Sequence, residues 1–120
     1  MGEKGKEIAK IDHKWLIEEL KKAYAFEWFV HYYASLASNI VSGLRTPVYA
    51  EIFKKAAEGE FGHANEIAKR LAELGGEPPE TLSEIEELAG FEKVNFPKNR
   101  SDIKGFVEVF LNMERHAISL

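Results

Sequence analysis

Three stretches of the chain place apolar residues at alternating spacings of three and four, the period that gathers them on one face of a helix. In the first, Leu16, Leu20, Ala23, Val30, Ala34, Ala37 and Val41 share a stripe with Glu27 at its middle. In the second, Tyr49, Phe53, Ala56, Ile67, Leu71 and Leu74 line up, and Glu60 and His63 interrupt them at the centre. The third aligns Ile103, Val107, Phe110 and Ala117 around Glu114. Alanines on these stripes, such as Ala34, Ala37 and Ala56, leave room for the helices to approach closely.

Glycine, proline and capping residues divide these patterns into elements. The first helix is expected from about Asp12 to Ser42, with Gly43 as its stop. Thr46-Pro47 reads as an N-cap followed by proline at the first helical position. The second helix runs on to Leu74, where Gly75-Gly76 and Pro78-Pro79 end it. Thr81-Leu82-Ser83-Glu84 is a capping box for a short helix that Gly90 closes. Phe91 to Arg100 lacks a helical period and contains Pro97, so it is expected as a loop packing Phe91, Val94 or Phe96 on the bundle. Ser101-Asp102 opens the last helix, which continues to Leu120. No stretch alternates apolar and polar residues as a strand would. The fold class is therefore all-α: an up-down bundle of three long helices with a short crossover helix, in one domain over residues 1–120.

The carboxylates on the stripes carry the chemistry. A charged carboxylate on a buried face is costly unless paired, and three converging on one another repel. Taken singly, a mid-stripe glutamate is most simply a border residue whose head reaches water. Glu27, Glu60 and Glu114 recur at the middle of all three stripes, with no lysine or arginine on the stripes beside them and only His63 close by. Divalent cations satisfy such a set, and Glu60-x-x-His63 puts two ligand groups on one helix face a turn apart. The other candidates have simpler roles. His13 lies near a helix start as a solvated or capping residue, and His31, off the stripe, is a packing residue that can reach a ligand. His116, two residues from Glu114, points elsewhere. Tyr24, Tyr33 and Tyr49 can hydrogen-bond a carboxylate or simply pack. Glu66 and the run Glu84, Glu86 and Glu87 read as solvated surface.

Composition narrows the setting. The chain has 120 residues, 45% hydrophobic and 12% aromatic, which supports one packed core and argues against disorder. Its zero cysteines exclude a disulfide framework, thiol catalysis and a cysteine zinc site. A formal charge of -4 offers no general basic surface for nucleic acid. No apolar run is long enough to span a membrane, and no signal-peptide core follows Met1-Gly2-Glu3-Lys4, so a cytoplasmic location is expected.

Glu27 in Tyr24-Ala25-Phe26-Glu27, then Glu60-Phe61-Gly62-His63-Ala64, then Glu114 in Asn112-Met113-Glu114-Arg115 resemble the ligand order of the ferritin-like di-iron carboxylate superfamily. The resemblance is to bacterioferritins and archaeal Dps-like ferritins in particular. The Leu-x-x-Leu-Gly-Gly-x-Pro exit from Leu71 to Pro78 is also similar. It implies that Glu60 bridges two irons, Glu27 and His63 ligate one, and Glu114 serves the second with another Glu-x-x-His from a fourth helix. It further implies ferroxidase-type oxidation of Fe(II) by dioxygen or hydrogen peroxide, in iron storage or oxidative-stress protection, by a homo-oligomer.

Two departures qualify that expectation. Where bacterioferritins carry a haem-binding Met after the helix B glutamate, this chain has Phe61, so no haem is expected. No second Glu-x-x-His follows Glu114, so the bundle is expected to lack its fourth helix and the site to be incomplete. Such a site would hold a single or substituted metal, or one completed by another copy. Phe106, Phe110, Met113 and Leu120 are expected to leave apolar surface for such a partner. A rubrerythrin-like peroxidase, a di-iron monooxygenase bundle and a non-enzymatic helical interaction module are the alternatives.

Overall fold

The computed structural model describes residues 3–91 and 93–119, with side chains over 12–91 and 93–117; Met1, Gly2, Glu92 and Leu120 lie outside these ranges, and with Leu120 the expectation that it leaves apolar surface. Four helices and no strands are present among the described residues: α1 (Glu3–Ile40), α2 (Thr46–Glu73), α3 (Leu82–Ala89) and α4 (Ile103–Ser119). Helix α1 begins well before the expected Asp12. The segment ahead of Asp12 is rich in Lys and Glu, good helix formers, and free of proline, so nothing breaks the helix. At its other end α1 stops at Ile40. Gly43 turns the chain at φ 111°, and the Ser42 N–H donates to the Arg100 carbonyl at 2.9 Å, tying the end of α1 to the start of α4.

Two expected caps differ in how they work. Thr46 does not accept a hydrogen bond as an N-cap; its hydroxyl donates back to the Gly43 carbonyl at 2.6 Å, and Arg45 occupies the cap position without a side-chain bond. Pro47 still falls in the first turn, where its missing N–H costs nothing. Thr81 does cap α3, accepting from the Glu84 N–H at 3.1 Å, and Gly90 closes that helix at φ 69°. Asp102 caps α4 by accepting the Gly105 N–H at 3.0 Å.

Packing settles which apolar positions face inward. On α1, Val30, Ala34, Ala37 and Val41 are buried, as the stripe predicts, together with Ala25 and Phe29. On α2 the buried line is Phe53, Ala57, Ala64 and Leu71, so the stripe is rotated: Ala56 and His63 are exposed rather than central. On α4 the rotation is larger. Phe106 and Met113 are fully buried, while Val107 and Glu114 are exposed. The expectation that Phe106 and Met113 await a partner is thus wrong, because they pack inside this chain. The exposed large apolar side chains include Val107 and Leu111 on α4 and Val48 and Ile52 on α2, with Trp15, Leu44, Phe61 and Leu82 elsewhere among the described residues.

The core has two patches. Phe29, Val30, Ala89 and Met113 form one, and Phe91 and Val94 pack against it; Ala37, Val41, Phe53 and Phe106 form the other. Phe96 joins the second patch by stacking on Phe106 at 4.8 Å. All three loop residues expected on the bundle are therefore there.

Candidate metal centre

Helices α1 and α2 bring three ligand groups together at their shared edge. Glu27, Glu60 and His63 each present one ligand atom, and these atoms all lie within 4.8 Å of one another. Nδ1 of His63 is 3.7 Å from Oε2 of Glu27 and 3.8 Å from Oε2 of Glu60. Both separations are too long for hydrogen bonds and short enough for ion pairing. The two carboxylates are largely covered, whereas the imidazole is exposed at 62%. Helix geometry explains the set. Glu60 and His63 are three apart on α2 and share a face, and antiparallel α1 lays Glu27 across from them.

The electrostatics of the cluster are unbalanced. Oε2 of Glu27 is buried and has no hydrogen-bond partner. Burial pushes the Glu60 carboxyl above its ordinary range; His63 pulls it back, and the like charge of Glu114 pushes it up again. Among the described residues no lysine or arginine pairs with either glutamate. Lys22 lines the groove that holds Glu27, with Glu19, Ala23, Phe26 and Ala117, yet it pairs with Glu19 at 3.4 Å. A buried carboxylate without a proton donor or cation is costly, and two oxygen donors with an imidazole suit a divalent first-row metal ion. The donor set fits such an ion on that ground.

Glu114 stands apart from the triad. It shares with Glu60 the wall of a cavity of about 210 Å³, whose other walls are mainly Val30, Ala34, Phe53, Ala56, Val107 and Phe110. It is exposed there and is not one of the converging donors. Glu66 is exposed, and so is His13. The ring of His116 lies against Phe91, and its Nε2 donates to the Ala89 carbonyl at 3.2 Å. Among the described residues, Tyr24, Tyr33 and Tyr49 donate to none of the cluster carboxylates. Tyr24 packs on Trp28 and Tyr49 on the second core patch, while Tyr33, its phenol pushed upward chiefly by burial, lies on Phe29.

Two side chains join α1 to α2: His31, which the sequence marked for packing but not for this bond, and Ser38, which it did not single out. Nδ1 of His31 donates to the Ala57 carbonyl at 2.6 Å, and the Ser38 hydroxyl donates to the Ala50 carbonyl at 2.8 Å. The available signal was their seven-residue spacing just off the apolar stripe.

The helical bundle and its carboxylate–histidine edge define a ferritin-like architecture. Residues 17–120 match the ferritin-like domain family, and the chain belongs to it. It is 32% identical over 110 residues to a DNA protection during starvation protein of Pyrococcus furiosus, a match covering 92% of this chain and 59% of that one. Among solved structures it is similar to a dodecameric thioferritin, the bacterioferritin-related protein of Bacteroides fragilis. That likeness has a TM-score of 0.77 and 30% identity, over 88% of this chain and 62% of the other. The chain thus spans about three-fifths of the length of both relatives. No helix among the described residues is long and apolar enough to cross a membrane.

Proposed function

We propose that this chain binds ferrous iron at Glu27, Glu60 and His63 and supports its oxidation by dioxygen or hydrogen peroxide, in iron storage or protection against oxidative stress. The observation that carries this reading is the buried Oε2 of Glu27, which has no hydrogen-bond partner, beside Glu60 and His63. A divalent cation offsets the charge that these groups otherwise leave uncompensated. Two hard carboxylates favour the ferric product over the ferrous substrate, and the exposed side of His63 leaves a path for the oxidant.

Glu114, whose charge is felt at Glu60 and which lines the same cavity, would serve a second iron in this reading. Within residues 1–120, read as a single domain, that second position has no Glu-x-x-His of its own. A long bundle helix in addition to α1, α2 and α4 would be the source of such a pair. Homo-oligomer formation and a cytoplasmic setting belong to the same reading, and the dodecameric relative supports the first of these.

Anaerobic titration with Fe(II), followed by peroxide, tests the proposal. One iron bound per chain, lost in Glu27→Ala, is expected. Binding that survives Glu27→Ala and Glu60→Ala unchanged would refute it, and rapid oxidation of two irons per chain would show that the second position is complete.

A further inference from the structure

We infer that His31 is a positioning residue for the metal centre: its hydrogen bond to the backbone of α2 sets the helix register that brings Glu60 and His63 to Glu27. The inference rests on the metal reading above and names a residue outside the donor cluster.

The geometry starts from one bond. Nδ1 of His31 lies 2.6 Å from the Ala57 carbonyl oxygen, on a different helix. A carbonyl only accepts, so this nitrogen carries the proton. His31 is one turn after Glu27 on α1, and Ala57 is one turn before Glu60 on α2. In an antiparallel pair those two turns are opposite each other, so a single bond pins the neighbouring turns that carry the carboxylates. The Ser38 bond to Ala50 repeats the relation, seven residues farther along α1 and seven residues back along α2. Both rungs specify one register.

Rings lock the His31 rung. Trp28 stands edge-on to His31 at 5.3 Å, Phe61 lies 5.4 Å from it, and Trp28 and Phe61 meet at 5.6 Å. Trp28 follows Glu27 in the chain, and Phe61 follows Glu60. Successive residues on a helix diverge by about 100°. The ring cluster therefore grips the side of the helix pair away from the carboxylate groove, at the same level. A slip of one residue moves α2 by about 1.5 Å and a slip of one turn by about 5.4 Å, the latter larger than the whole donor cluster. Alanines on the apolar seam, Ala57 and Ala64 among them, resist such a slip only weakly because their side chains interlock little.

Co(II) alone, titrated into the full chain by calorimetry and visible absorption, tests the inference. His31→Phe and His31→Leu keep volume in the ring slot and remove the N–H. Both are expected to weaken Co(II) binding about tenfold, the scale seen when partners that orient metal ligands are lost. His31→Asn returns an N–H to the Nδ1 position and is expected within about threefold of the unmodified chain on the same scale. Ser38→Ala removes the distant rung. It is expected to lower the melting temperature while leaving Co(II) affinity within about threefold, because His31 still sets the pairing at the site. Unchanged affinity in His31→Phe or His31→Leu would overturn the inference, as would equal losses in Ser38→Ala and His31→Phe or failure of His31→Asn to restore binding. If the unmodified chain binds no Co(II), the metal reading itself fails; if it binds and the His31 variants match it, only the positioning role does.

Discussion

His63 on α2 holds Nδ1 3.7 Å from Oε2 of Glu27 on α1, so the imidazole of one helix faces a buried carboxylate oxygen of the other that has no hydrogen bond. The imidazole is mostly exposed and buries little, so His63→Ala is expected to change stability by less than about 0.5 kcal/mol. The same variant removes one of three donors and is expected to weaken Zn(II) binding at least about tenfold. Thermal unfolding beside a Zn(II) titration separates the two effects.

Glu60 links function to a stability cost. Its carboxyl is raised above the ordinary value of 4.5, chiefly by burial. The folded chain therefore holds this proton at pH values where the unfolded chain has released it. Stability from this group is present below the ordinary value and is lost as pH rises through the raised one. Glu60→Gln is expected to flatten the fall in melting temperature of the metal-free chain as pH rises above 4.5, and to abolish Fe(II) binding. Melting curves across that range measure it; an unchanged slope would count against the assignment.

Gly59 and Gly62 flank the ligands inside a helix, and a Cβ at either would meet nothing within 4 Å. Glycine in a helix interior costs about 0.5–1 kcal/mol relative to alanine. Gly59→Ala and Gly62→Ala are each expected to stabilise the chain by that amount. Destabilisation in a melting experiment would mean that another helix packs closely there.

Phe106 is fully buried, stacks on Phe96 and lies 6.1 Å from Phe53. Phe106→Ala is expected to cost about 3–5 kcal/mol, a large share of a small domain's stability. Val107→Ala, on the exposed side of the same helix, is expected to cost less than about 1 kcal/mol. Urea unfolding of the two variants checks which face of α4 is inside.

Phe61 packs against Trp28 and His31 and offers no axial ligand for a haem iron. The purified protein is expected to show no Soret absorption, before or after incubation with haem. A bound Soret band would contradict this.

The sequence by itself determined which segments are helical and singled out the three residues that cluster. Gly43, Gly90, Thr81 and Pro47 carry backbone preferences that act locally, so the turns and the short α3 were legible from the chain. Glu27, Glu60 and His63 were legible too, because a carboxylate at the middle of an apolar stripe is out of place wherever the helix packs. Other features required the tertiary structure. Helix α4 has two adjacent apolar lines, one through Val107 and Phe110 and one through Phe106 and Met113. Periodicity cannot choose between them, since both have helical spacing. Contact with Phe29 and Val30 near Met113, and with Ala37 and Val41 near Phe106, decided for the second line and left Glu114 outside the donor cluster. The register of α1 against α2 was equally invisible, because it depends on His31 and Ser38 meeting carbonyls of another helix. Spacing along one helix fixes which residues share a face; only packing between helices fixes how far along, and against what, that face is laid.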